Sequence, residues 1–478
     1  MAATLAVLAA ACSPGPAAPR SAHRSTGTGA AATSTGATAP PVTSTTAPGA
    51  AGVPADWPTY GGGFGRDAVD ATSPALEKGV TPAWTSPALD GAVYGEPLLY
   101  GGEVLVATES DTVYALSAAD GTVAWSDHLA TPVPSSALPC GDIAPTVGVT
   151  STMVVDPASG TLFVSAARSN GGAVQHWVYA LDVARHRLLW SRDVDQPGWT
   201  ASAQLQRAGL ALAGGDVVAG FGGNYGDCGA YHGWVVGVPE TGTGAVLAYR
   251  VPTAREGAVW APSGVTVDSS GDVFAVTGNG AAGPGRAFDH GNAVVELSPG
   301  LAERGYFAPS DWAQDSAGDL DLASTAAMAV GGSELFVVGK ERTAYLLRAG
   351  DLGGIGGQEA SLPVCNARGG NAFLAPYAYV VCPDDGTVVQ VRVGPGASLS
   401  RGWTWRSPTG GAGSPTIAGG VLWSIDPGAS VLYGADLSTG ATRYRLPLAT
   451  GTPPHFAAPS AAGGLLVVAG ARAVEAFR

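Results

Sequence analysis

From residue 56 onward, short runs of apolar and β-branched residues alternate with turns rich in glycine and aspartate. In the first copy of this pattern, residues 97–108 read PLLYGGEVLVAT, followed by TVYAL at 112–116 and DGTVAW at 120–125. Runs of this length, separated by tight Gly-Gly or Asp-Gly turns, predict antiparallel strands joined in a meander. Each copy of the pattern therefore predicts one small antiparallel sheet.

The pattern recurs at intervals of roughly 45–60 residues, the period of a four-stranded propeller blade. We count eight copies, near residues 97–125, 153–190, 210–238, 265–298, 327–347, 377–391, 415–440 and 461–477. A sheet with two apolar faces must stack on neighbouring sheets, and this requirement favours a closed ring. The sequence therefore predicts an all-β fold, a single eight-bladed β-propeller over residues 56–478, with seven blades as the alternative.

The last copy contains only three strands and lacks an outer one. A candidate for the missing strand lies at the other end of the domain, around Val80–Trp84, just before the first full copy. Pairing the two ends would close the ring and remove the exposed edges of the last sheet. We therefore expect blade 8 to contain strands from both ends of the domain.

The N-terminal region predicts export. Residues 2–11 form an apolar run that is too short to span a bilayer and resembles the core of an export signal. The string LAAAC at 8–12 resembles a bacterial lipobox, which would make Cys12 a lipidation site; cleavage that frees a secreted protein is the alternative. Residues 13–55 are almost wholly Ala, Ser, Thr, Pro and Gly, which predicts a disordered linker. The expected location is extracytoplasmic, either lipid-anchored to the cell membrane or secreted.

Composition limits the possible partners. The 478 residues include 71 Gly and 35 Pro, as expected for many turns, and the formal net charge is −14. No cluster of Lys or Arg is present, which disfavours nucleic acid and anionic lipid surfaces. We expect a protein or small ligand at the cell envelope as partner, membrane contact through the lipid anchor only, and a monomer.

Four cysteines lie in the predicted propeller: Cys140, Cys228, Cys365 and Cys382. An even number in an exported protein predicts two disulfides, for which three pairings are possible. A Cys140–Cys228 bridge is plausible because both residues lie in loops of adjoining repeats. Cys365 and Cys382 flank a strand, which suits a second bridge.

Several strings in these repeats are familiar. Tyr-Ala-Leu followed by Trp, at 114–125 and again at 179–190, resembles the PQQ-like repeat, as does DWPTYGG at 56–62. The resemblance covers residues 56–478. It implies the propeller fold and two kinds of function. Quinoprotein alcohol dehydrogenases of this superfamily bind pyrroloquinoline quinone and calcium, whereas other members bind no cofactor and act through protein contacts.

The resemblance also implies positions for a quinone site. In the dehydrogenases, Glu, Asn and Asp residues from the top-face loops hold calcium. Asn279 lies in a Thr-Gly-Asn string like theirs, Asp311 precedes Trp312 in a similar loop, and Asp227 stands where the Glu would be. The chain departs from the family pattern, because it has no adjacent cysteine pair, no Glu at that place and no haem-attachment CxxCH, and no Trp can be assigned beneath a quinone.

Three further stretches have alternative interpretations. Residues 224–234 (NYGDCGAYHGW) form either a ligand-binding loop, with Asp227 and His232 facing the axis, or a loop that Cys228 holds in place while its aromatic residues pack. The four carboxylates of residues 311–321 favour a solvated loop over a calcium site. Lys340 would hold an anion in the central funnel or pair with Glu341 or another carboxylate.

The resulting hypothesis is a non-catalytic propeller without cofactor, acting as a scaffold or binding module through its top-face loops. The alternative is a dehydrogenase dependent on pyrroloquinoline quinone and calcium, with a diverged site at Asp227, Asn279 and Asp311. A third hypothesis is a hydrolase or lyase acting on glycans, although no Gly-x-Ser-x-Gly string is present and the sequence marks no pair of carboxylates.

Overall fold

The computed structural model describes residues 56–76 and 79–478. The predictions for the export segment, for Cys12 and for the linker over residues 13–55 lie outside this range. Among the described residues, no helix has the length and apolar character needed to cross a membrane.

Eight antiparallel sheets form the ring, each a meander whose first strand is innermost. Blade 1 contains Leu98–Tyr100, Glu103–Ala107, Thr112–Ser117 and Val123–His128, and blade 2 contains Val154–Asp156, Thr161–Asn170, Ala173–Asp182 and Arg187–Asp193. Blade 3 contains Ala211–Ala213, Asp216–Gly223, Trp234–Pro239 and Leu247–Arg250, and blade 4 contains Thr266–Val267, Val273–Val276, Val294–Leu297 and Glu303–Ala308. Blade 5 contains Met328–Gly331, Glu334–Val338, Thr343–Arg348 and Ala360–Pro363, and blade 6 contains Ala372–Leu374, Tyr377–Cys382, Thr387–Gly394 and Ser398–Arg406. Blade 7 contains Thr416–Ala418, Val421–Asp426, Val431–Asp436 and Thr442–Pro447, and blade 8 contains Ser460–Ala462, Leu465–Ala469, Val474–Phe477 and Pro82–Thr85. The prediction of eight blades is confirmed.

Short elements lie between and beside the blades. The additional strands are Val69–Asp70, Val133–Pro134, Thr146–Val147, Gln204–Leu205 and Gly354–Ile355. The 3-10 helices are Tyr60–Gly62, Ser135–Ala137, Ala201–Ala203, Leu322–Ser324 and Pro383–Asp385, and one α-helix spans Trp312–Ala317.

The helix corrects one prediction. Residues 311–321, interpreted above as a solvated loop, contain the helix Trp312–Ala317 and bury two of their four carboxylates, Asp315 and Asp321. Trp312 and Ala313 pack into the apolar cluster shared by blades 3 and 4. The sequence favours a loop because polar residues dominate the run, but the packing of Trp312 holds it as a helix.

The core is a series of apolar layers between neighbouring blades. Leu105 of blade 1 and Val164 of blade 2, for example, are fully buried in one such cluster. The outer strands are partly solvated: exposed and half-buried positions alternate through most of Arg187–Asp193. The continuous β-branched runs therefore lie in the middle strands, where both faces are covered.

The ring closes as predicted. Pro82–Thr85 pairs antiparallel with Val474–Phe477, and Trp84 lies opposite Ala476. The Trp84 ring packs over Gly121, where a Cβ atom would lie 2.4 Å from it, and its Nε1 donates to the Ala118 carbonyl of blade 1. Blade 8 is thus shared by the two ends of the domain and is joined to blade 1.

One end of the central channel is filled by residues 57–73, which we call the plug segment. Backbone or side-chain hydrogen bonds connect it to the inner part of every blade. The bonded groups in blades 1 to 8 belong in order to Leu99, Val155, Leu210, Val267, Ala329, Phe373, Ile417 and Gly463. Trp57, Thr59, Tyr60 and Arg66 of the plug segment are buried. The channel is therefore closed on the side of the turns between first and second strands, and any cavity must open at the opposite end.

Candidate functional site

A cavity of about 560 Å³ lies at the end of the ring opposite the plug segment. Its walls come from the loops that lead from one blade to the next and from the ends of second and third strands. Residues from both kinds of segment line it, including Arg207, Asp227, Trp260, Asn279, Lys340 and Phe456. The cavity is therefore assembled from distant parts of the chain.

Two aromatic residues, Trp260 and Phe456, form one side of the cavity and are called here the aromatic pair. Their ring centroids are 6.0 Å apart, with an interplanar angle of 55°. The Arg207 guanidinium lies 4.9 Å from the Phe456 ring, and the Lys340 ammonium lies 5.7 Å from the Trp260 ring. A cation thus stands at each end of the aromatic pair.

At the Trp260 end, Lys340 is already paired with carboxylates. Its Nζ lies 2.6 Å from Asp321 Oδ2 and 3.2 Å from Asp319 Oδ1. Asn279 joins the cluster, because its backbone N–H donates to Asp321 and its Nδ2 to Asp319, both at 2.8 Å. Burial raises the pKa of Asp321 even though Lys340 opposes the shift. Burial lowers the pKa of Lys340, but Asp321 and Asp319 outweigh it and raise that pKa overall. Lys340 is therefore protonated and neutralised within the cluster.

The cavity rim is formed by the loop between the second and third strands of blade 3. Asp227, with φ of 52°, accepts a 2.5 Å hydrogen bond from the Tyr231 hydroxyl. Burial and the hydrogen bond to Asp227 raise the pKa of Tyr231, so the phenol stays protonated. Cys228 is bonded to Cys140 in the loop between blades 1 and 2, with Cα atoms 6.1 Å apart. This bridge fixes two rim loops against each other.

Both expected disulfides are present. Besides Cys140–Cys228, Cys365 is bonded to Cys382, with Cα atoms 5.9 Å apart. The second bridge lies within the apolar layer between blades 5 and 6 and does not line the cavity. The prediction of two disulfides is confirmed, and of the three possible pairings the structure has the one with a bridge at the rim and a bridge in the core.

At the Phe456 end, Arg207 is only 7% exposed and lies between Tyr94 and Phe456, at 5.6 and 4.9 Å from the ring centroids. One guanidinium nitrogen donates to the His455 carbonyl at 3.2 Å, and Nε has no hydrogen-bond partner among the described residues. The His455 ring lies near Asp142, with 3.6 Å between Nε2 and Oδ2. Burial and the charge of Arg207 lower the pKa of His455, which is therefore neutral near pH 7.

The family comparison agrees with the blades. The family model described as outer membrane protein assembly factor BamB matches residues 77–294, which extend from the closing strand into blade 4. The match supports a PQQ-like repeat over these residues of the β-propeller. Among curated proteins, none matches this sequence significantly.

Solved structures show the same fold at low identity. The quinohemoprotein alcohol dehydrogenase of Comamonas testosteroni has a TM-score of 0.66 at 14% identity, over 88% of this chain and 80% of that one. A europium-containing methanol dehydrogenase gives 0.61 at 13% identity, over 83% of this chain and 86% of that one. BamB of Moraxella catarrhalis gives 0.54 at 12% identity, over 84% of this chain and 100% of that one. Likeness at this identity concerns the fold alone.

The PQQ-like propeller brings together some of the sequence-predicted residues. Asp227, Asn279 and Lys340 line one cavity. His232 is not part of the cavity lining; its ring Nε2 lies 2.7 Å from a guanidinium nitrogen of Arg250. Asp311 is exposed at the start of the helix Trp312–Ala317 and is also outside the lining. The position next to Asn279 that the resemblance assigned to Asp311 is held by Asp321 and Asp319.

Sequence reasoning did not identify Arg207, Trp260, His455 and Phe456. Each lies in a loop that leads into a blade, and these loops are not part of the repeated sequence pattern. Lys340 was expected to hold an anion or to pair with Glu341 or another carboxylate, and it pairs with Asp319 and Asp321. The sequence does contain a signal for Trp260. This residue precedes the first strand of blade 4, and the Thr-Gly-Asn string follows the second strand, so both lie at the same end of the blade.

These residues do not provide the calcium site implied by the family. Asp311 is not among the residues that line the cavity with Asp227 and Asn279, and the Lys340 ammonium is paired with Asp319 and Asp321, the carboxylates that accept hydrogen bonds from Asn279. A divalent cation placed there would be repelled by Lys340. Within residues 56–76 and 79–478, no three His, Cys, Asp or Glu side chains are grouped as metal ligands would be.

Proposed function

We propose that this PQQ-like propeller is an exported, non-catalytic binding protein that holds a small, flat organic ligand in its axial cavity. The observation that carries this proposal is the cavity itself: it is about 560 Å³ in volume and one wall is the aromatic pair. Concave sites of a few hundred Å³, lined by aromatic side chains and a few polar groups, are typical of small-molecule sites.

The cavity is preformed. The plug segment closes the channel below it, and the Cys140–Cys228 bridge holds two rim loops. A site that needs little ordering on binding keeps more of its contact energy as affinity. Rigidity of the floor and rim therefore supports a binding role for the top-face loops.

At least three of the five carboxylates that line the cavity are engaged by cationic or hydroxyl groups of the protein, which supports binding rather than catalysis. Asp321 and Asp319 accept charge-assisted bonds from Lys340, and Asp227 accepts the Tyr231 hydroxyl. A carboxylate that is neutralised by a cation or engaged by a hydrogen-bond donor is a weaker general base than a free one. These side chains instead shape the site and hold its loops.

Export is supported by the two disulfides, since such bonds persist in oxidising compartments. We further propose that Cys12 is acylated, which would tether the protein to the cell membrane through the linker. A Cys12→Ser chain should leave the membrane fraction and appear in the soluble fraction; membrane retention of this variant would disprove the anchor.

Binding can be tested with the full chain and N-phenyl-1-naphthylamine, a flat uncharged probe whose fluorescence rises in apolar surroundings. We expect saturable one-to-one binding. Trp260→Ala should weaken it by about fivefold or more, because an aromatic contact contributes about 1 kcal/mol beyond area burial. The control is Trp403→Ala, which removes a half-buried Trp on the outer strand of blade 6. Absence of binding, or equal loss in both variants, would overturn the proposal.

A quinone-dependent dehydrogenase is the second candidate, favoured by the position of Asn279 and Trp260 in an axial cavity of a dehydrogenase-like fold. It is tested by calorimetric titration of the full chain with pyrroloquinoline quinone, with and without Ca²⁺. Saturable, Ca²⁺-dependent heat that disappears in Asn279→Ala or Asp227→Ala would replace the non-catalytic proposal. No heat in either condition would rule out this candidate.

A further inference from the structure

We propose that the ligand is an organic anion whose acidic group is bound by Arg207, while its flat body lies on the aromatic pair. This inference rests on the proposed binding function and adds the charge and orientation of the ligand. It concerns the Phe456 end of the cavity, which the family resemblance did not mark.

The first support is the state of Arg207. Its side chain is 7% exposed, yet it lines the cavity, and its Nε has no partner among the described residues. Within residues 56–76 and 79–478, its hydrogen bond goes to a neutral carbonyl, that of His455. A buried guanidinium without an anion is costly, and charge-assisted bonds to a carboxylate or sulfonate would offset that cost.

The second support is that the protein supplies no counter-ion at bonding distance. Among the described residues, Glu109 and Asp142 are the carboxylates that face Arg207, and neither forms an ion pair with it. Glu109 Oε2 is engaged by the Gly148 N–H at 2.7 Å and the Thr150 hydroxyl at 3.1 Å. Burial raises the pKa of Glu109 to about 7, which further weakens it as a partner for Arg207.

The third support is the asymmetry of the cavity. Lys340, at the other end of the aromatic pair, is neutralised by two carboxylates, whereas Arg207 is not. Tyr94 and Phe456 hold the guanidinium from two sides, so its position is fixed before binding. The acidic group of the ligand is therefore placed at Arg207, and a neutral end of the ligand faces Lys340.

The test compares two probes that share one flat body. 8-Anilinonaphthalene-1-sulfonate carries a sulfonate that N-phenyl-1-naphthylamine lacks, so the ratio of their affinities isolates the anion. For the full chain we expect the sulfonate to bind at least about tenfold more tightly, since a bond to a charged group contributes about 1.5–3 kcal/mol. Arg207→Gln should abolish this preference, so that the two probes bind the variant with equal affinity, whatever that affinity is. The exposed Arg250→Gln is the matched control and should keep the preference.

The outcomes separate the two proposals. If neither probe binds, the proposed binding function fails. If both bind to the full chain with equal affinity, the anion inference fails while the binding function stands, and this comparison needs no variant that folds. If Arg207→Gln keeps the preference for the sulfonate, another cation holds the anion and the inference is wrong. Arg207→Lys should retain a smaller preference, because it keeps the charge but loses the planar fork.

Discussion

At the scale of single residues, the least usual group of the described chain is Asp111. Its side chain is buried, neither carboxylate oxygen has a hydrogen-bond partner among the described residues, and its φ is 56°. Burial and the neighbouring Glu109 raise the pKa of Asp111 to about 9. The neutral acid is therefore the form that the folded protein prefers at physiological pH.

The raised pKa of Asp111 predicts a pH dependence of stability. The pKa of Asp111 is higher in the folded than in the unfolded protein. The contribution of the neutral carboxyl to the free energy of unfolding is therefore complete below about pH 4 and is lost as pH rises through about 9. Asp111→Asn has the same shape, tolerates positive φ and does not titrate. We expect similar stability of variant and wild type near pH 4, and a gain for the variant that grows with pH and reaches several kcal/mol at pH 9. Urea unfolding of the variant and the wild type at several pH values measures this difference in unfolding free energy.

The exposed Asp351→Asn serves as the control for that series and should follow the wild type at every pH. If Asp111→Asn were equally or less stable than wild type at pH 9, the buried carboxyl would not be the neutral, unpaired group that the structure indicates.

At the scale of elements, the rim loops and the blades have different roles. The blades are held by sheet ladders and apolar layers, whereas the rim loop of blade 3 is held by the Cys140–Cys228 bridge and by the bond from Tyr231 to Asp227. The residues of this loop, from Asn224 to Asp227, line the cavity. We therefore expect the rim bridge to affect ligand binding as well as stability, and the core bridge to affect stability alone.

This difference predicts different consequences of removing the two bridges. Replacing both Cys140 and Cys228 by Ser should lower the affinity for N-phenyl-1-naphthylamine several-fold, because the rim loops lose their mutual constraint. Replacing both Cys365 and Cys382 by Ser should reduce unfolding free energy by about 2–4 kcal/mol and leave affinity unchanged. Probe titrations of both double variants measure the affinities, and denaturant unfolding measures their unfolding free energies. Equal affinity in both double variants would show that the rim does not depend on its disulfide.

At the scale of the whole molecule, the fold could be predicted and most of the site could not. The eight blades and the closing strand follow from repeated β-branched runs with glycine turns, a local signal in each copy. The cavity residues Arg207, Trp260 and Phe456 belong to loops of different blades, and only ring closure brings them together. Asp311 was favoured by its position before Trp312, but the helix that buries Trp312 turns Asp311 toward solvent and leaves Asp321 beside Asn279.

Ring closure predicts where the molecule opens first. Blade 8 is built from both chain ends of the domain, so its outer strand is joined by pairing alone, whereas each of the other outer strands follows its sheet neighbour along the chain after a short connection. Trp84 and Trp125 are both 9% exposed, so Trp84→Ala and Trp125→Ala remove side chains of equal burial. Each substitution should lower the free energy of unfolding by about 3–5 kcal/mol. Hydrogen exchange should then rise at 79–86 and 465–478 in Trp84→Ala, but only around blade 1 in Trp125→Ala. The opened edge of Trp84→Ala should also promote association between molecules, detectable by light scattering. Exchange that rises equally around the ring in both variants would mean that closure is no weaker than the other blade contacts.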